Sequence, residues 1–119
     1  MTLVEKDRWY NEELRAETVI YTIEVDGERV GLMNFVVPDE DFSDNAYLEN
    51  IDIDEAHRNK GHGTEALKEA AKMYWRVYIA PTNEDNARLY ARLGEDARGQ
   101  IREEEMEVNQ GHGVYVLNR

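Results

Sequence analysis

Arg58, Lys60, Gly61 and Gly63 fall in one short run, Arg58-Asn59-Lys60-Gly61-His62-Gly63. Basic side chains beside glycines suit the holding of a bound anion. Glycine has no Cβ, so backbone N–H groups can approach phosphate oxygens closely. A helix starting just after such a turn adds unpaired N–H groups and the positive end of its dipole. Residues from Thr64 onward supply that helix, because Leu67, Ala70, Ala71 and Tyr74 recur at helical spacing. The chain carries a net charge of −12, from 26 acidic and 14 basic residues. A basic turn is out of character in such a chain, which favours an anion site over a loop that merely turns the backbone.

Other phosphate loops fit less well. Gly61-His62-Gly63-Thr64-Glu65-Ala66 formally matches the dinucleotide pattern G-x-G-x-x-A. That fold turns directly from strand into the glycines, whereas here the strand ends several residues earlier. The P-loop pattern is absent.

Hydrophobic patterning places elements on both sides of the turn. Residues 47–53 read as a strand, with Ile51 and Ile53 on one face and Leu48 on the other. Residues 75–80 read as a dense apolar strand closed by Pro81. Asn83 then caps a helix whose first turn holds Glu84 and Asp85, and Gly94 ends it as a left-handed glycine. Upstream, Val19, Tyr21, Ile23 and Val25 alternate with polar residues, and Asp26-Gly27 signals a hairpin to a strand over 29–37. Residues 39–45 read as a polar loop. Residues 5–16 predict a short helix. The tail predicts a strand over 101–108, a turn over 110–113 and a strand over 114–117. One crossover implies a parallel pair, and the hairpins imply antiparallel ones. The expected fold class is α+β: a mostly antiparallel mixed sheet with one parallel strand–helix–strand crossover, in a single domain over residues 1–119.

Composition sets the outer bounds. Hydrophobic residues make up 41% of 119, enough for one ordinary core. The acidic balance argues against nucleic-acid partners and mildly favours a cationic one. No apolar run is long enough to span a membrane, and no signal peptide is evident, so a cytoplasmic protein is expected. The chain has no cysteine, hence no thiol chemistry. His57, His62 and His112 show no zinc spacing, so no metal is expected. Glu103-Glu104-Glu105 reads as a solvated strand, and Trp9 and Trp75 as core.

Two motifs together carry a family resemblance. Arg58-Asn59-Lys60-Gly61-His62-Gly63 fits the signature [R/Q]-x-x-G-x-[G/A]. Asn83-Glu84-Asp85-Asn86-Ala87-Arg88-Leu89-Tyr90-Ala91-Arg92-Leu93-Gly94 adds an Asn followed at a distance by Leu-Tyr and then Leu-Gly. In this order, separated by a helix and a strand, they resemble the GNAT N-acetyltransferase superfamily. The resemblance is good over 47–94 and looser over 18–37 and 101–117. It departs in three places: the N-terminal strand and paired helices are shortened or missing, Glu95 replaces an aromatic residue, and the helix from Thr64 is short.

The resemblance implies acetyl-CoA as co-substrate and the GNAT acyl-CoA N-acyltransferase fold. It implies that backbone amides over 60–64 hold the pyrophosphate, within the turn formed by Arg58, Asn59, Lys60, Gly61, His62, Gly63 and Thr64. Ile51 to Ile53 would pair with the pantetheine arm, the Ile53 N–H polarising the thioester carbonyl. Asn83 and Asn86 would lie near the same arm. Tyr90 stands where the family carries its general acid, and Glu49 near where members often carry a base. Each also has a plain reading: Tyr90 as core packing, Glu49 as one exposed acid among many. The implied activity is transfer of an acetyl group to an amine, of a small molecule or a protein, by direct attack in a ternary complex. The alternative is a non-catalytic acyl-CoA-binding or protein-interaction module on the same fold. A homodimer is compatible with the sequence.

Overall fold

The computed structural model describes residues 1–39, 44–97 and 113–119. Among these, seven strands form one sheet in the order β1-β2-β3-β4-β5-β7-β6. The strands are β1 (Thr2–Asn11), β2 (Ala16–Val25), β3 (Glu28–Pro38), β4 (Asn45–Ile53), β5 (Arg76–Ile79), β6 (Gly94–Asp96) and β7 (Tyr115–Leu117). Two helices, α1 (His62–Ala70) and α2 (Glu84–Leu93), follow β4 and β5. All neighbouring strands run antiparallel except β4 and β5, which are joined through α1. The α+β class and the single parallel crossover stand as the residue pattern implies.

One face of the sheet carries the main core. Val19, Ile23, Met33 and Phe35 are fully buried there, with Leu48, Val77 and Ile79 nearly so. Ala66, Leu67 and Ala70 of α1 pack onto them, joined by Tyr90 of α2. Small alanines let α1 lie close to the strands. Tyr21 and Phe35 meet edge to face at 5.6 Å, a favoured aromatic geometry. On the opposite face Tyr47 stacks on Tyr78 at 5.4 Å, beside buried Ala97.

Asp26 (φ 52°) and Gly27 (φ 79°) are both left-handed, as a two-residue hairpin turn between β2 and β3 demands. Asn83 caps α2, its side-chain oxygen accepting the Asn86 N–H at 2.8 Å.

Four expectations are corrected. Residues 5–16 form no helix: β1 pairs with β2 from Thr2↔Glu24 to Asn11↔Ala16 through a short turn. The β2 edge supplies hydrogen-bond partners that a short, polar helix would lack, and tertiary pairing overrides local propensity. No helix therefore stands between the first two strands. Trp9 and Trp75 are not core, being 46% and 61% exposed. Trp75 lies under the Arg119 guanidinium at 6.0 Å, a cation–π placement. Gly94 is extended rather than left-handed and opens β6. A Cβ there would sit 2.1 Å from the Val116 carbonyl oxygen, so close approach of β7 accounts for the glycine. Finally, Leu48 shares the core face with Ile51 and Ile53, because β4 is bulged between them.

The strand over 101–108 lies outside the described residues, with Glu103, Glu104, Glu105 and His112. So does all of the 110–113 turn but Gly113.

Candidate functional site

The site begins with that bulge. Leu48 pairs with Phe35 and Asn50 with Asn34, leaving Glu49 as an extra residue in β4. Regular alternation would have put Glu49 on the face of Ile51 and Ile53, but the bulge cancels it. Pairing between β4 and β5 also stops here, at Leu48↔Ile79. Beyond that point, among the described residues, β4 pairs with β3 alone, and its other edge is free of β5.

The direction of the β4 backbone follows from two contacts. The Asp54 N–H donates to the Val30 carbonyl at 2.8 Å, toward β3. Successive N–H groups of a strand alternate sides, so the Ile53 and Ile51 N–H groups turn toward the edge that β5 has left. The Ile53 carbonyl turns the same way and accepts the Arg58 Nε–H at 2.7 Å.

A cleft of about 770 Å³ opens along this edge. Glu49, Ile51 and Ile53 line one wall. The turn lines one end, through Arg58, Asn59, Gly61, His62, Gly63 and Thr64. Asn83, Asn86 and Tyr90 line the α2 side. The structure thus gathers every candidate site residue except Lys60, which is not in the lining. His57, Asn50 and Thr82 also line it and carry no sequence signal of their own.

The turn leaves room for close approach from outside. Asn59 (φ 62°) and Gly61 (φ 80°) are left-handed, and Gly61 is the residue before α1. Left-handed Gly61, followed directly by the right-handed start of α1, aims neighbouring N–H groups into a shared concavity. No side chain caps α1, so its first N–H groups are open. A Cβ on Gly63 would meet nothing closer than Ile53 Cγ1 at 3.7 Å. Internal crowding therefore does not demand glycine there, and its bareness leaves room for a group from outside. These features fit a coenzyme A pyrophosphate.

Arg58 does more than add charge. Besides the Ile53 carbonyl it reaches Asp52 Oδ1 at 3.3 Å, tying the turn back to the end of β4. His57 Nε2 stands 3.3 Å from Glu28 Oε1, and the His57 and His62 rings lie 6.5 Å apart. The buried Nδ1 of His62 has no hydrogen-bond partner among the described residues. Among the described residues no group of three or more His, Cys, Asp or Glu side chains is placed to hold a metal. No described helix is long and apolar enough to cross a membrane.

Tyr90 borders the cleft yet is only 5% exposed. Burial pushes its phenol above the usual value, because the phenolate would lose its hydration. Glu49 is exposed.

Comparison with known proteins agrees with this geometry. The chain is similar in structure to a putative GNAT-family acetyltransferase from Bacteroides thetaiotaomicron, with TM-score 0.54 and 20% identity over 84% of this chain and 60% of that one. It thus spans less than two thirds of that protein's length. It resembles a GNAT-family acetyltransferase from Elizabethkingia anophelis with acetyl-CoA bound, at TM-score 0.51 and 19% identity over 84% of this chain and 73% of that one. A third likeness is to an IAA acetyltransferase from Bacillus cereus ATCC 14579, at TM-score 0.51 and 15% identity over 97% and 96% of the two chains. At such identities these likenesses speak to the fold alone. A search of curated protein sequences gives no match. The acetyltransferase (GNAT) family profile matches residues 2–94, most of the chain and both motif-bearing segments, and the chain belongs to that family.

Proposed function

We propose that the protein transfers an acetyl group from acetyl-CoA to an amine within a ternary complex. The observation that carries this reading is the parting of β4 from β5 at Leu48 and Ile79. It leaves a strand edge that can pair with the pantetheine arm, with a phosphate-sized turn at one end and Tyr90 alongside.

The pyrophosphate binds the amides at the start of α1, and Arg58 adds positive charge. The Ile53 N–H, free of β3, donates to the thioester carbonyl and to the oxyanion that forms from it. Glu49 accepts a proton from the incoming ammonium, directly or through water. The neutral nitrogen attacks the carbonyl carbon, gives its extra proton to solvent, and becomes an amide as the tetrahedral intermediate collapses and the carbon–sulfur bond breaks. Tyr90 gives its proton to the departing thiolate and is reprotonated from solvent. Burial keeps the phenol protonated but makes it a weaker acid, so the transfer relies on the thiolate being held beside it. The acceptor is an amine of a small molecule or a protein, and the acidic surface favours a cationic one.

A second reading, a non-catalytic acyl-CoA-binding module, is favoured by one observation. A short turn joins β1 to β2 where relatives often place acceptor-shaping helices. Thiol release from acetyl-CoA across an amine panel separates the two. Turnover supports the enzyme. Tight coenzyme A binding without turnover on any amine supports the module. If Gly61→Glu and Arg58→Glu leave coenzyme A affinity intact, the phosphate site is wrong in either case.

A further inference from the structure

A pyrophosphate at the turn before α1 brings negative charge that the fixed cations nearby only partly meet. Arg58 lines the cleft, but Asp52 opposes its charge at 3.3 Å. Lys60 is not in the lining. His57 and His62 do line the cleft, and their ring centres lie 6.5 Å apart. His62 is the first residue of α1, and His57 ends the short 3₁₀ turn Glu55–His57 just before Arg58. The His57 ring therefore stands close to the helix start.

The two imidazoles differ in what a second proton would meet. On His62 it would go to the buried, unpartnered Nδ1, adding an N–H and positive charge with nothing to pair them. His57 has a carboxylate waiting. Its Nε2 lies 3.3 Å from Glu28 Oε1, and its side chain is only 21% exposed. Other charges of the neighbouring elements oppose one another: Arg29 lies 3.9 Å from Asp54, and Arg58 faces Asp52. Glu55 and Lys60 flank His57 along the turn, and Glu65 lies in the first turn of α1.

We propose that His57 is a ligand residue of the acyl-CoA site, holding the pyrophosphate as an imidazolium. This rests on the reading of the turn as a coenzyme A site. Nε2–H donates to Glu28, and Nδ1–H donates to a phosphate oxygen. A neutral imidazole has one N–H and cannot serve both anions; only the imidazolium donates from both nitrogens. Glu28, at the start of β3, keeps the ring oriented and offsets its charge before the ligand arrives. Coenzyme A binding therefore takes up a proton. By linkage, affinity rises as pH falls through the range where imidazoles ordinarily titrate, about 6.5.

Calorimetry of the full chain with coenzyme A, in buffers of different ionisation enthalpy, counts the protons. His57→Gln is the reference, because the ligand's own 3′-phosphate titrates alike against both proteins and cancels in the difference. The expected result at pH 7 is an uptake larger by about half a proton in the unaltered chain. From pH 8 to pH 6 its affinity gains about fivefold relative to the variant. His62→Gln keeps the extra uptake. Dephospho-coenzyme A, which lacks the 3′-phosphate, keeps it too. Glu28→Gln moves the rise in affinity to lower pH, and serves if His57→Gln fails to fold, since that side chain is 70% exposed. Equal uptake with and without His57, uptake that follows His62 instead, uptake lost with dephospho-coenzyme A, or a profile unmoved by Glu28→Gln overturns this inference while coenzyme A binding stands. No binding of coenzyme A at any pH overturns the proposed function as well.

Discussion

Tyr90 combines two properties that residue type alone leaves apart: it is packed in the core and it borders the cleft. Tyr90→Phe keeps the ring and removes only the acidic proton. The expected outcome is a fall in kcat of about 100-fold with little change in the KM for acetyl-CoA, measured by steady-state thiol release. Loss of affinity instead would make Tyr90 a packing residue. Gly94 offers a purely structural contrast. Its glycine answers to the Val116 carbonyl at 2.1 Å from a would-be Cβ, a backbone atom that cannot swing aside. Gly94→Ala is expected to cost about 2 kcal/mol or more, read from denaturant unfolding. The glycine was legible in the sequence as the end of a helix, but its reason was not. Close approach of β7 depends on a strand that follows it by some twenty residues.

At the scale of elements, the strand–turn–helix unit of β4 and α1 was legible because its signals are local. Alternation, glycines and helical spacing all lie within a short stretch. The bulge at Glu49 was not legible, since an extra residue is defined only against the partner strand, here Asn34 and Phe35 of β3. The same limit explains β1, whose residues look helical until β2 is beside them. Arg58 links two elements, tying the turn to the end of β4 through the Ile53 carbonyl. Arg58→Lys keeps the charge but loses the planar donor pair. It is expected to weaken coenzyme A binding by about tenfold, measured by calorimetry. Asn83→Ala removes the cap of α2 and is expected to cost about 1 kcal/mol of stability.

Over the whole molecule, charge and buried phenols set the response to solution conditions. A net charge of −12 repels itself, and salt screens that repulsion. Thermal unfolding is therefore expected to move upward with added sodium chloride. Tyr74 and Tyr90 are both raised, chiefly by burial, and Tyr74 also by its hydrogen bond with Tyr21. Above pH of about 10 the unfolded chain releases these protons while the folded one keeps them, so stability falls as pH rises. It is fully present below that pH. Unfolding midpoints across the alkaline range check this, and Tyr74→Phe should flatten the decline.

Local order in the sequence determined the glycine turn before α1, the hairpin at Asp26-Gly27, the cap at Asn83 and the class of fold. Each depends on residues a few positions apart, where propensity, capping and glycine geometry act directly. Tertiary structure alone decided that β4 parts from β5 after Leu48. It likewise decided that the Ile53 N–H faces the opening, that Arg58 ties the turn back to β4, and that Tyr90 is both buried and beside the cleft. These depend on pairing between strands distant in sequence, whose register no single segment encodes.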